Sequence, residues 1–244
     1  MATSHNVLTG LSRSYLFDDL DLSELEFLAA AATVRSFAGG ESVWAVGDPA
    51  EEIYVVLDGE VKDTVMDIDG NELVHFLHGP GMTFGEPGYF AADHHRVVEV
   101  VAVTPTVLIR LDRAHLQPFM DAHPTVKDRA LEGLASQARW QSTMIAALLQ
   151  RSLADRVGLR LLELADSNRQ RVDGLPVTPR VSQSMLSAMI GVSRENVNRA
   201  LASLVVAGYV RYDAGRYVIV DDSRLRKRLG RDWPLAERRD RRLH

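Results

Sequence analysis

At 244 residues the chain has room for two domains of ordinary size, each with its own core. It contains no cysteine, which excludes disulfides, zinc ribbons, cysteine-held iron–sulfur clusters and thiol catalysis, and fits a reducing cytoplasm. The formal charge of −5, read whole, argues against nucleic-acid binding, yet residues 1–150 hold 9 Arg/Lys against 22 Asp/Glu while 151–244 hold 19 against 11. An acidic module is thus joined to a basic one, and the basic one is a candidate for phosphate contact. Much of the excess sits in 223–244, with 9 basic and 3 acidic residues, so charge alone carries little.

The opening MATSHNVLTG has no basic flank leading into an apolar core, and no apolar run approaches the ~18 residues of a membrane helix. No membrane partner is expected. In LSELEF, Ser23 reads as a helix N-cap with Glu26 completing a capping box, and Leu22 and Phe27 are spaced for a hydrophobic staple. From Ser36 to about Arg110 the texture changes to short β-branched runs between glycine turns, which predicts a sandwich or barrel. Asp69-Gly70 is a two-residue hairpin signal.

After Pro124 the pattern turns helical. Leu131, Leu134, Ala138, Gln141, Ile145 and Leu148 alternate spacings of three and four, a heptad seam that predicts a homodimer. The competing reading is an ordinary helix packed on its own domain. Gln141 is the polar position of the seam, where a polar group sets register or meets something. DRVGLRLLELADSN continues as a second helix, which RQRVDGLPVTPR breaks with glycine and proline.

VSQSMLSAMIGVSRENVNRALASL then reads as a helix over Gln183–Met189, a turn at Gly191 and a second helix capped by Ser193. Leu186, Ile190, Val197, Leu201 and Leu204 can share one core, and the glycine turn suits a helix-turn-helix. In such a motif the first turns of the second helix carry base-reading groups, here Arg194, Glu195, Asn198 and Arg199. Arginine suits guanine O6/N7 and glutamate suits cytosine N4, each good pair giving about 1–3 kcal/mol of discrimination. The bland alternative is an i,i+4 ion pair between Glu195 and Arg199, giving a few tenths of a kcal/mol. A strand pair with an Asp-Ala-Gly turn follows, and from about Ser223 the chain looks unsuited to a packed core.

His75, His78 and Glu86 are the residues a metal-binding cupin-type enzyme would use. The His-x-x-His spacing is wrong for that arrangement, and His94, His95, His115 and His123 complete no ligand set. No Walker motif, nucleophile elbow or paired-carboxylate constellation is present, so neither enzyme nor metal is expected.

Two separated stretches resemble the cyclic-AMP receptor protein / fumarate-nitrate regulator (CRP/FNR) family of bacterial transcription factors across about residues 15–223. GVSRENVNRAL with its following hairpin is similar to the family's winged helix-turn-helix. FGEPGYFAADHHRVVEV, residues 84–100, is similar to its phosphate-binding cassette. The resemblance implies an α+β chain: an N-terminal β-roll of the cyclic-nucleotide-binding kind with a dimerisation helix at about 125–149 (residues 1–149 together), a winged helix-turn-helix over 150–223, and a basic tail over 224–244. It implies a homodimer on double-stranded DNA, with Arg194, Glu195 and Arg199 reading a TGTGA-like half-site and Ser182, Ser193 and Asn196 touching phosphates.

The resemblance also implies cyclic AMP as effector. Gly85 would allow close backbone approach, Glu86 would accept from a ribose hydroxyl, Arg96 would meet the phosphate, and Gln141, Ser142 and Thr143 would lie near the base. Two positions depart from the cyclic-AMP sensors of the family: Val97 stands where they carry serine or threonine, and Gln141 replaces a threonine. Losing one hydrogen bond to a charged group costs about 1.5–3 kcal/mol, which predicts a weak or altered response or constitutive DNA binding. RQRVDGLPVT falls where family members can contact RNA polymerase.

Overall fold

A computed structural model describes residues 4–66, 68, 70, 72–168 and 170–230. Two compact units divide the chain: the first runs to Gln141 except for Ile68–Leu73, which group with the second. The first begins with helix α1 (Ser4–Ser12), a 3-10 turn (Tyr15–Phe17) and α2 (Leu22–Ala31). Six strands follow: β1 (Thr33–Phe37), β2 (Ser42–Trp44), β3 (Glu52–Asp58), β4 (Val61–Met66), β5 (Glu72–His78) and β6 (Thr83–Phe84). A short helix α3 (Glu86–Phe90) leads to β7 (Glu99–Ala102), β8 (Thr106–Asp112), α4 (Arg113–Ala122) and the long α5 (Pro124–Gln150).

The strands form two four-stranded sheets, β1-β8-β3-β6 and β2-β7-β4-β5. The period-two alternation of a strand builds two cores at once. Tyr54, Val56 and Leu108 face inward with Trp44, Phe84, Val61 and Val100, contributed by both sheets. Ile53, Val55, Ile109 and Leu111 face the opposite way, against Leu11, Leu25, Leu28, Leu116 and Phe119 of the flanking helices. The β-region therefore starts at Thr33, ahead of the expected Ser36. Asp69 of the expected Asp69-Gly70 turn lies outside the described residues.

The helix near the start is capped two residues earlier than expected. Asp21 is the N-cap, and its backbone N–H donates to Glu24 Oε2 at 2.7 Å. Ser23 and Glu26 do not form the box, and Leu22 and Phe27 are exposed instead of stapled. In α5 the first turns pack on the helix-side core through Val126 and Ala130, and beyond them Leu131, Ile145 and Leu148 are 67%, 61% and 57% exposed.

The second unit holds α6 (Leu153–Ser167), β9 (Arg171–Val172), β10 (Leu175–Pro176), α7 (Gln183–Ile190), α8 (Arg194–Val206), β11 (Val210–Asp213), β12 (Arg216–Ile219) and α9 (Asp222–Arg228). Leu186, Ile190, Val197, Leu201 and Leu204 are all buried, as their spacing predicted. β11 and β12 pair antiparallel across Ala214-Gly215, both at positive φ, and form the wing.

The expected tail from 224 begins as packed structure. Leu225 and Leu229 are fully buried and lie over Gly158 of α6, where a Cβ would meet both at 3.5 Å. Arg226 pairs with Asp166 at 2.5 Å and Arg228 with Asp155 at 2.8 Å, so basic residues that read as a solvated run dock α9 onto α6. Residues 231–244 of that tail lie outside the described residues. Replacing Leu225 by Ala should destabilise the C-terminal unit by about 2–5 kcal/mol in urea titration; a change below about 0.5 kcal/mol, the usual surface value, would restore the reading of 224–230 as tail.

Candidate functional site

In the first unit the site grows from one left-handed residue. Gly85 ends β6 at φ 101°, and a Cβ there would come within 2.9 Å of Arg96 Nη1. Only glycine permits that turn and that approach together. α3 starts immediately after it, with Pro87 in its first turn where an N–H is dispensable.

Arg96 returns to the same point from the loop after α3 and is 3% exposed. Its Nη1 donates to the Gly85 carbonyl at 3.0 Å, and its Nη2 donates to Glu52 at 2.8 Å (carbonyl) and 3.3 Å (Oε1). The guanidinium lies 3.9 Å from the centre of the Trp44 ring, a cation–π stack. Burial pulls its pKa below the ordinary arginine value, with Glu52 opposing. Its buried Nε has no hydrogen-bond partner, so one donor of the fork still lacks an acceptor.

Arg96, Gly85, Pro87 and Gly88 line one part of a cleft of about 350 Å³, and Leu134, Gln137, Ala138 and Gln141 of α5 line another. That volume is in the range of small-ligand sites. Of the expected ligand residues, Gly85, Arg96, Val97 and Gln141 line it; Glu86, Ser142 and Thr143 do not. Val97 is 62% exposed and offers the cleft a methyl surface where a hydroxyl would donate.

Glu86 turns its enclosed carboxyl to Thr83, beside His78 and Asp63. Burial holds that carboxyl above the usual range, against the lowering pull of the Thr83 hydrogen bond. Sequence reasoning missed Glu52, Trp44 and Asp63. Asp63 lines the cleft and takes a 2.9 Å bond from His78, so that histidine serves a carboxylate.

In the second unit two arginines of α6 hold the end of α7. Arg156 Nη2 donates to the Ile190 carbonyl at 2.7 Å and Arg160 Nη2 to the Met189 carbonyl at 3.1 Å, cations on carbonyls at the negative end of a helix. Gly191 closes that helix at φ 69°, and the Ser187 hydroxyl donates to the Val192 carbonyl across the turn. The chain is thereby aimed into α8. Ser182 and Ser193 accept from the N–H groups of Met185 and Asn196 at 3.0 and 3.4 Å, capping α7 and α8 and leaving their own hydroxyl protons to donate.

Arg194, Glu195 and Arg199 are exposed on the first turns of α8. No ion pair joins Glu195 to Arg199 among the described residues; Arg199 donates to Asn196 Oδ1 instead. Asn198, expected on the outward face, is half-buried and its Oδ1 is enclosed without a partner.

A β-roll with a small-ligand cleft, followed by a winged helix-turn-helix with an exposed polar face, defines a ligand-sensing DNA-binding regulator. Residues 34–123 match the cyclic nucleotide-binding domain and 155–228 the Crp-like helix-turn-helix domain. The chain is 29% identical over 219 residues to the CRP-like cAMP-activated global transcriptional regulator of Mycobacterium tuberculosis, covering 89% of this chain and 97% of that protein. The catabolite activator protein of Thermus thermophilus matches at TM-score 0.51 and 28% identity, over 88% of this chain and 98% of that one. FixK2 of Bradyrhizobium japonicum shares the fold at TM-score 0.68 and 24% identity, over 80% and 96%.

The chain belongs to the CRP/FNR family: it is a DNA-binding transcription regulator and not an enzyme. No helix among the described residues is long and apolar enough to cross a membrane.

Folded Glu86 holds its proton more tightly than the unfolded chain does, so stability is lost as pH rises from the unfolded carboxyl's titration through the folded one's. Glu86→Gln should therefore match wild type in urea midpoint below about pH 4 and exceed it toward neutral pH. A wild type more stable than the variant at pH 7 would show that the burial is compensated.

Proposed function

We propose that the protein acts in the cytoplasm as a homodimer on a palindrome of two TGTGA-like half-sites about one helical turn apart. The observation that carries this is the first two turns of α8, where Arg194, Glu195 and Arg199 stand exposed on a helix whose entry is held by Arg156 and Arg160. Arg194 and Arg199 suit guanine edges and Glu195 a cytosine amine. Ser182, Ser193 and Asn196 sit at the helix starts, where N–H and O–H donors meet phosphates and set register. Asn198 adds base contact only if its amide turns outward. The exposed seam of α5, Leu131, Ile145 and Leu148, supports the dimer, since burying each such side chain contributes about 1.5–3 kcal/mol.

The cleft binds a cyclic nucleotide of the cyclic AMP kind, weakly: the phosphate meets Arg96, and Val97 withholds the hydroxyl that would add a second bond. Constitutive DNA binding is a second reading, favoured by the bonds Arg96 already makes to Glu52 and Gly85. The β9–β10 hairpin, which presents Asp173-Gly174, is where contact with RNA polymerase would be made.

DNA selection from a random pool, with and without cyclic AMP, reports half-site, spacing and effector dependence together. Arg194→Ala should lose about ten- to a hundredfold discrimination at a single base pair. Equal weakening on every sequence would make Arg194 a phosphate contact. Calorimetry should give cyclic AMP a dissociation constant above about 1 μM, and a submicromolar value would remove the weakened response.

A further inference from the structure

Alternation along β4 puts Asp63 on the same inward face as Val61, where the core calls for an apolar side chain. Asp63 is 8% exposed. A carboxylate held there has a desolvation cost unless it is paired, and the pair is His78, whose Nε2 lies 2.9 Å from Oδ1. The His78 ring is fixed in turn against Phe84, with centroids 5.3 Å apart. Oδ2 takes no hydrogen bond among the described residues, and Asp63 lines the cleft that Arg96 also lines. The cleft thus has a cation on one lining residue and a fixed carboxylate with a spare acceptor on another.

We infer that Asp63 selects and orients the effector by accepting a hydrogen bond from an N–H of its base. The inference rests on the cleft taking a cyclic nucleotide. A carboxylate repels a phosphodiester and attracts an amine, so it drives the phosphate to Arg96 and keeps the base on its own side. With Oδ1 committed to His78, a single acceptor remains, suited to an exocyclic amine of a purine. His75 and Phe76 of β5, which also line the cleft, supply flat surfaces for the ring.

The test compares cyclic AMP with the 3′,5′-cyclic phosphate of purine riboside, which keeps phosphate, ribose and ring but carries no base N–H. Calorimetry on the full-length wild type should give cyclic AMP an advantage of about tenfold or more, the expected effect of one hydrogen bond to a charged group. In Asp63→Asn the oxygen stays with His78 and the amide nitrogen faces the cleft as a donor, so the advantage should fall to about onefold or invert. Equal binding of the two ligands by wild type overturns the inference and needs no variant. So does an Asp63→Asn protein, folded by its thermal melt, that keeps the wild-type preference. Binding of neither ligand at millimolar concentration overturns the nucleotide reading itself, a result distinct from both.

Discussion

A buried guanidinium must be surrounded by acceptors, and that requirement on Arg96 organises the sensor unit. Its partners come from three separate places: Glu52 on β3, the carbonyl of Gly85 between β6 and α3, and the ring of Trp44 on β2. Breaking a buried pair by removing one partner costs about 3–5 kcal/mol, so the loop after α3 is fixed to both sheets by one side chain. Glu52 is also 3.3 Å from Arg110, so one carboxylate serves two cations. An anion reaching Arg96 would therefore meet a cation that is already partly satisfied, and would have to draw the rest of its affinity from geometry.

The reader unit solves its positioning problem with arginine on backbone carbonyls. A helix C-terminus carries partial negative charge, and cations there contribute about 0.3–1 kcal/mol when exposed and about 2 kcal/mol in partly buried geometries. Arg156 and Arg160 supply two such contacts to α7, and α9 adds ion pairs to Asp155 and Asp166 of α6. Basic residues of the second unit thus divide between internal fastening and the open face of α8. The charge count of that half overstated its capacity for phosphate.

Most of the architecture was legible because it rests on local rules: alternation in the strands, three-four spacing in α5, and serine and glycine at the ends of α7 and α8. The misreadings have physical causes. Asp21 and Glu24 offered the same capping pattern as Ser23 and Glu26 two residues away, and burial of Leu25 and Leu28 chose between them. α4 was not foreseen because Pro118 interrupts it, yet Leu116, Phe119 and Met120 bury enough surface to hold the helix. Asp173-Gly174 carries the Asp-Gly hairpin signal, but its strands are two residues each, too short to show periodicity. At the site, Gly85 and Arg96 were readable from the cassette. Glu52, Trp44 and Asp63 were not, because each reaches the cleft from a distant strand and no local motif marks it.

The 27-residue helix α5 belongs to both units, contributing its length through Gln141 to the sensor and the remainder to the reader. At about 1.5 Å per residue it is a rod of about 40 Å, and its exposed apolar positions run from Leu131 to Leu148, across the boundary. Two chains zipped along that line would share a spine of residues drawn from both units. Substitutions along the spine would then defy assignment to either module, and genetic screens would recover at these positions alleles that look like sensing defects and reading defects at once.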